Sequence, residues 1–230
     1  MDFQYMFQIL PPILSGAVTT LLLFGLVILV SIPLGFIVTL LVRSKIPPIR
    51  WIANAYIFVM RGTPLLLQLI FIFYGFPIIG NALAETFHSD FFRELFQMER
   101  FNAAFLGFTL NYAAYFAEIF RGGLLAIDKG QYEAAKVLGF SRPATIFHII
   151  CPQMIRVALP SVANETITLI KDTSLLYAVA IPEIIDVAKS IVNRDSTVVP
   201  LILAAAVYLV LILILTLVFK WLERRFNHSK

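Results

Sequence analysis

The residues best placed to do chemistry are polar side chains set inside long apolar runs. Asn111, Tyr115 and Glu118 recur at i, i+4 and i+7, so on a helix they share one face. Glu165, Thr168 and Asp172 share a face of another stretch, with Asn164 and Lys171 on an adjacent face and Thr173 and Ser174 extending the polar patch. Arg61 and Gln68 stand in a third. Ionisable groups at bilayer depth are expensive and face a cavity or a partner. The pattern admits three kinds of chemistry. The faces could line a pathway for a polar solute, Glu118 or Asp172 could carry a proton or sodium ion, or the charges could only hold helices together. Glu118 stands three residues before Arg121, the spacing of a helix-surface pair. Arg61 also fits a headgroup-level position, and Lys171 with Asp172 fits a bridge within a kinked helix.

A second constellation is water-loving. Asp128 suits a helix N-cap, with Gln131 three residues on as in a capping box. The spacing predicts a helix over 129–138 that ends on Gly139, and a second short helix capped by Ser141 with Pro143 in its first turn. Two short helices at an angle are expected. Ala134 and Ala135 leave low relief for another protein's groove, and Glu133 offers a charge to a partner's arginine or backbone amides. A solvated connecting helix is the plainer alternative.

The elements that must position these groups are membrane spans. The 230-residue chain is 60% hydrophobic and only 14% charged, with mean hydropathy +0.87, whereas a soluble domain carries about a quarter charged residues. No charge interrupts Phe3 to Val42 or Val198 to Phe219, and either run exceeds the roughly 20 residues a crossing needs. Five apolar stretches are expected, at about 13–42, 51–79, 101–126, 153–182 and 198–220. The fold class is an all-α integral membrane protein, one domain over residues 1–230, with 128–152 as a wet loop within it. Pro33, Pro64 and Pro160 are kink sites, Gly62 beside Pro64 marks a break, and Pro11-Pro12 and Pro47-Pro48 look like helix entries. The N-terminus lacks the basic region and cleavage site of a removable signal peptide, so the first span is expected to stay. Asp90 to Glu99 spaces Phe91/Phe92 and Leu95/Phe96 at helical intervals, as an interfacial anchor or a docking surface.

Loop charge sets direction. Arg43, Lys45 and Arg50 lie in 43–50 without an acid; Arg121, Lys129, Lys136, Arg142 and Arg156 face only Asp128 and Glu133; the tail adds Lys220, Arg224, Arg225 and Lys230 against Glu223. The other side carries Glu85, Asp90, Glu94, Glu99, Glu183, Asp186 and Asp195 against Arg93, Arg100, Lys189 and Arg194. The N-terminus is expected outside, and the C-terminus and the 121–152 segment inside, the cytoplasmic membrane. The net charge of +4 follows from this topology, and no nucleic-acid partner is needed to explain it. His88, His148 and His228 have no companions at metal-ligand spacing, and no phosphate-binding loop or nucleophilic triad is present, so neither a metal, a cofactor nor catalysis by this chain is expected.

Glu133-Ala134-Ala135, three residues, Gly139, nine residues, Ile149 and, three on, Pro152 make up a recognisable pattern, with Cys151 where leucine is usual. Arg61-Gly-Thr-Pro64-Leu-Leu-Leu-Gln68, Ala117-Glu-Ile-Phe-Arg121-Gly-Gly, Asp128-Lys-Gly-Gln131 and Leu169-Ile-Lys-Asp-Thr-Ser174 accompany it in order. Together they resemble the polar amino acid permeases of binding-protein-dependent ABC importers, over nearly the whole chain. The resemblance implies the five-helix transmembrane domain of a type I ABC importer with a cytoplasmic coupling helix pair. It also implies pairing with an identical or sister permease, a cytoplasmic ABC ATPase dimer gripping Glu133, Ala134, Ala135 and Gly139, and an extracytoplasmic amino acid-binding protein. A zwitterionic substrate of the glutamine, basic amino acid or cystine class would need a donor for its carboxylate, from Arg61 or Lys171, and an acceptor for its ammonium, from Glu118 or Asp172. The excess of acid favours neutral or cationic substrates. The alternative is an ion-coupled secondary amino acid transporter, against which stand the few spans and the absence of an inverted repeat.

Overall fold

The computed structural model describes residues 3–227; His228 and Lys230, read above, lie outside that range, as do the first two residues. It is all-helical, with five helices long and apolar enough to cross a bilayer: Phe3–Val42, Leu65–Phe87, Arg100–Leu125, Arg142–Val179 and Val199–Phe226. We number the elements α1 (Phe3–Val42), α2 (Pro47–Gly62), α3 (Leu65–Ile70), α4 (Phe76–Phe87), α5 (Asp90–Phe96), α6 (Arg100–Leu125), α7 (Lys129–Val137), α8 (Arg142–Thr145), α9 (Cys151–Asp172), α10 (Ile184–Asp195) and α11 (Val199–Asn227). Single π turns, Phe71–Gly75 and Ile146–Ile150, join α3 to α4 and α8 to α9, and a 3₁₀ segment, Thr173–Val179, extends α9.

Helix α6 is the axis because its sequence makes it narrow. Ala103, Ala104, Gly107, Ala113, Ala114 and Ala117 are buried along it, and small residues let neighbouring backbones approach when lipid supplies no hydrophobic drive. The closest approach is from α1. A Cβ at Gly35 would sit 2.7 Å from the Phe116 Cβ and 2.9 Å from the Ala113 carbonyl oxygen, and Thr39 Oγ1 lies 2.9 Å from the Ala117 carbonyl oxygen. Leu23 and Val27 of α1 then meet Phe108, Tyr112 and Phe116 of α6 in the main core.

Boundaries differ from the sequence expectation where backbone chemistry overrules hydropathy. The second apolar stretch is not one kinked span. It breaks after Gly62, Thr63 is extended (φ −117°, ψ 147°), and the crossing runs from Leu65 to Phe87. Pro64 has no N–H to continue α2 and disfavours a helical residue before it. Pro47 and Pro48 do open a helix, as expected, whereas Pro11 and Pro12 lie inside α1 rather than at its entry. The 80–100 segment is mostly helical. In α5, the Phe96 side chain and the Phe92 carbonyl lie against Gly80, while Phe91 and Leu95 stay exposed.

Helix α10 has no counterpart in the expected spans. Ile184, Ala188 and Ile191 bury one face against Ile9, Ile13 and Ala17 of α1 and Ala204 of α11. Its cap is Glu183, read from sequence as a loop charge and found fully buried. One carboxylate oxygen accepts the Asp186 N–H at 2.8 Å and the other accepts the Tyr208 hydroxyl at 2.8 Å. Burial pushes its carboxyl above the ordinary glutamate value, against the pull of those donors. At the far end of α10 Asp195 accepts from the Tyr5 hydroxyl at 2.7 Å, and Arg194 together with Tyr5 holds its carboxyl down at about 2.

Glu183→Ala leaves two buried donors without an acceptor and is expected to cost about 1–3 kcal/mol, read as a lower unfolding midpoint of the detergent-solubilised chain. Glu183→Gln keeps an acceptor and should cost less. Because the native pKa is raised, the wild-type contribution is full below the unfolded value of about 4.3 and fades as pH rises through the native value. The glutamine variant should lose that alkaline-side decline.

Candidate functional site

The break between α2 and α3 leaves backbone carbonyls that lipid cannot satisfy. The Thr63 N–H and Oγ1 both return to the Val59 carbonyl oxygen, at 3.1 Å and 2.8 Å. The Met60 carbonyl accepts from two side-chain amides, Gln68 Nε2 at 2.9 Å and Asn111 Nδ2 at 2.9 Å. The two amides also meet each other, Asn111 Nδ2 to Gln68 Oε1 at 3.0 Å, and Gln68 Nε2 lies 2.7 Å from Thr63 Oγ1. Gln68 and Asn111, expected on the pathway, are thus the stitches that hold the break open.

Beside this break is a cavity of about 610 Å³, with Arg61, Thr63, Pro64, Leu65 and Leu66 on one side, Asn111, Tyr112 and Tyr115 of α6 on another, and Glu165, Thr168, Asp172 and Leu175 on the third. A second cavity of about 470 Å³ shares Arg61, Tyr115 and Glu165 with the first and adds Glu118, Gly122, Gly123 and Ser161. The shared faces read from sequence on α6 and α9 are therefore real and meet across one space. Asn164 and Lys171 are exposed and, like Ser174, stand outside both walls. A helix face seen alone does not say which flank turns inward. Tyr112, which sequence reasoning missed, donates its hydroxyl to Asp172 at 2.7 Å; this contact crosses between helices and has no signal in either one.

The charges in these walls are unequally served. Arg121 holds Glu118 by two hydrogen bonds, 2.9 Å and 2.6 Å, the helix-surface pair its spacing indicated. Arg61 approaches the same carboxylate at 3.6 Å and lies over the Tyr115 ring, 5.1 Å from its centroid. Asp172 has the Tyr112 hydroxyl. Glu165 has no hydrogen bond or ion pair among the described residues.

The wet segment forms as a capped helix. Asp128 accepts the Gly130 N–H at 2.6 Å. Gln131 does not close a capping box; it accepts from Gln153 Nε2 of α9 at 3.1 Å instead. At the other end the Phe140 N–H bonds the Ala135 carbonyl at 3.0 Å and the Gly139 N–H the Lys136 carbonyl at 3.1 Å, the paired bonds of a Schellman ending. That ending needs the left-handed backbone of Gly139, at φ +78°. Ser141 caps the next turn, but α8 is not a free-standing helix, because it runs through a π turn into α9. The pair is one short helix and the first turn of a long one. Glu133 and Ala134 are exposed. Ala135 is not: at 1% exposure it lets α7 lie close on its own fold, and Val137 at 87% and Leu138 at 73% are the apolar groups presented outward. Beside them Tyr132, Lys136, Phe140, Arg142, Thr145 and Ile146 line a groove of about 400 Å³.

Residues 31–228 match the family described as binding-protein-dependent transport system inner membrane component. The chain belongs to this family. It is 37% identical to the L-cystine transport system permease protein TcyB of Bacillus subtilis over 94% of its own length and 87% of that relative. It is 34% identical to the arginine transport system permease protein ArtQ of Bacillus subtilis over 100% and 99% of the two chains. A solved amino acid ABC transporter described as having histidines superposes with a TM-score of 0.83 at 32% identity, covering 98% of this chain and 99% of that one. The chain is thus a non-catalytic permease subunit of an ABC importer in the inner membrane, and it works with an ATPase and a binding protein.

In this permease the Met60 carbonyl ties Gln68 and Asn111 into one unit. Gln68→Ala and Asn111→Ala are each expected to lower stability by about 1–3 kcal/mol. The double variant should lose less than the sum. Thermal unfolding of the three variants in detergent checks this, and strictly additive losses would show that the two amides act separately.

Proposed function

We propose that the permease passes a polar amino acid through the two connected cavities, as one half of a pathway completed by an identical or sister chain. The observation that carries this reading is the 610 Å³ cavity, walled by polar groups from three apolar stretches and within the range of small-molecule sites, roughly 300–1,000 Å³. Arg61, with 41% of its side chain exposed at the mouth, is the donor for a substrate carboxylate. Glu165 and Asp172 are acceptors for an ammonium, and Tyr115 and Thr168 are neutral partners between them. Glu118, Gly122 and Ser161 line the onward path. Relatives that carry cystine and arginine, and a relative's structure described as having histidines, support an amino acid cargo.

The loop charges support the N-terminus outside and the 128–152 segment inside, where an ATPase dimer would seat on α7. Glu133 and Ala134 present the charge and the low relief, Val137 and Leu138 the apolar contact, and Ala135 and Gly139 hold the shape. ATP-driven closure can switch the pathway only if the two permease states differ in affinity for the closed ATPase, so the α7 ending must transmit force without melting.

Purified permease reconstituted with its ATPase and binding protein should accumulate labelled amino acid only with ATP; uptake driven by a sodium or proton gradient alone would return the ion-coupled carrier. Gly139→Val strains the left-handed ending, by about 1–3 kcal/mol, and is expected to abolish most uptake at unchanged membrane level. Gly139→Asn, which tolerates that backbone, should keep most of it. Full uptake by the valine variant would discredit the coupling role.

A further inference from the structure

We infer that an apolar cavity between α1, α6 and α9 seats one acyl chain of an anionic phospholipid, whose phosphate rests on Arg43 and Lys45. The seat shares a single wall residue, Ala158, with the pathway cavities and is independent of what passes there. It lies at the α7 end of the bundle, where Met154 of its wall packs on Gly123 near the end of α6.

The cavity measures about 490 Å³. Ile32, Pro33 and Phe36 of α1 form one wall, Phe120 of α6 the back, and Phe147 with the first half of α9 the other wall. Phe36 and Phe120 close the back edge to face, with ring centroids 6.1 Å apart. The space forms where both walls depart from regular helix. Pro33 removes a hydrogen bond from α1, and the π turn Ile146–Ile150 offsets the foot of α9. Apart from the Cys151 thiol, every lining side chain is hydrocarbon or thioether. Water needs two to four polar partners to occupy such a site, and these side chains offer none. Both walls belong to membrane-crossing helices, so the solvent at the mouth, where Phe147 is exposed, is lipid.

An acyl chain gains little by leaving lipid for this cavity, because both are apolar. Selection therefore comes from the headgroup, and the α1 wall leads to it. Ile32, Phe36 and Arg43 recur at i, i+4 and i+11 on one helix face, and the Arg43 N–H still bonds the Thr39 carbonyl at 3.3 Å. Arg43 stands seven residues past Phe36, about 10.5 Å along the helix. Half of the roughly 30 Å hydrocarbon core is about 15 Å, so a chain hung from a phosphate at Arg43 reaches Phe36 inside its own leaflet. Lys45 follows two residues on. Both cations are exposed, and neither side chain has a hydrogen bond or ion pair among the described residues. No acid stands between residues 43 and 50 to compete for them. Arg43 can hold two phosphate oxygens at once, and basic sites at the ends of spans bind anionic headgroups. A zwitterionic headgroup brings its own cation to the same place and is disfavoured.

Native mass spectrometry of the permease–ATPase complex, titrated with phosphatidylglycerol or phosphatidylcholine of identical chains, counts the lipids held at each concentration. One phosphatidylglycerol per copy of this chain should bind at least about tenfold more tightly than phosphatidylcholine, given about fivefold for each of two cations. Arg43→Gln combined with Lys45→Gln should close that gap and leave phosphatidylcholine unchanged. Cys151→Phe, which fills the cavity from its wall, should weaken both lipids alike. On the unaltered complex, phosphatidylglycerol with a photoreactive group midway along one chain should label the peptides holding Ile32 to Phe36 and Phe147 to Val162, a result that needs neither variant to fold. Equal binding of the two headgroups, undiminished binding to Cys151→Phe, or labelling confined to other spans overturns the inference. So does the retention of no lipid, the result expected if the sister permease covers this face. Glycerol phosphate, the headgroup without chains, should fail to displace the lipid; displacement would show that the cations bind phosphate without the cavity and would overturn the seat.

Discussion

A backbone polar group inside a bilayer must be satisfied by the protein itself, and the rest of this permease follows from how that is done at one place. At Thr63-Pro64 the chain abandons helical geometry inside an apolar run. The carbonyls of Val59 and Met60 would be stranded there, but Thr63, Gln68 and Asn111 return to them. Because Asn111 belongs to α6 and Gln68 to α3, the repair also pins three segments around a gap. The cavity is what remains when α2 stops and α3 starts at an offset. Its wall therefore includes unwound backbone as well as side chains. Without the two amides the same sequence would have either to close the break into a continuous kinked span or to leave acceptors facing lipid.

Much of this was legible in the sequence, and what was not has a physical reason. The five crossings, the Gly62–Pro64 break, the α6 face of Asn111, Tyr115 and Glu118 and the α9 face of Glu165, Thr168 and Asp172 follow from hydropathy, proline chemistry and helical period, which are all local. The Glu118–Arg121 pair is local as well. The role of Gln68 and Asn111 as stitches depends on which carbonyl the break exposes, and the Tyr112–Asp172 contact depends on how α6 and α9 face each other; neither is a property of one segment. Helix α10 was missed because hydropathy windows suited to a 20-residue span average over its short amphipathic face, although Ile184, Ala188 and Ile191 repeat at i, i+4, i+7 behind a capping Glu183. The burial of Glu183 and of Ala135 could not be read from residue type. A glutamate in a charged loop looks solvated, and an alanine beside an exposed alanine looks exposed.

The α10 end and the α7 end of the bundle are built on different principles, and the difference bears on how it moves. At the α10 end, buried polar contacts tie helices far apart in sequence. Glu183 joins α10 to α11, and Asp195 joins α10 to α1 through Tyr5. A group of this kind is expensive to open, because each separated partner is left buried and unpaired. At the α7 end, among the described residues, the polar contacts are local caps and one side-chain bond, Gln131 to Gln153, beside the packing of the buried Ala135.

That asymmetry gives the short helix its mechanical meaning. The two helices that flank it in sequence, α6 and α9, are the two that supply the titratable cavity wall apart from Arg61. Helix α6 ends at Leu125, seven residues past Glu118, and α9 continues without a loop from the π turn at Ile146–Ile150 to Asp172. A displacement of α7 is therefore delivered to helices and not to slack chain. Glu118, shared by Arg121 and Arg61, is one of the contacts that join α6 to the α2 end beside the cavity, with the Arg61–Tyr115 stack and the Asn111–Met60 bond. The 3.6 Å separation of Arg61 from that carboxylate is looser than the 2.6 Å contact to Arg121 on the same helix. Under a shear between α6 and α2, the Arg61 contact yields before the Arg121 contact, because Glu118 and Arg121 move together on one helix.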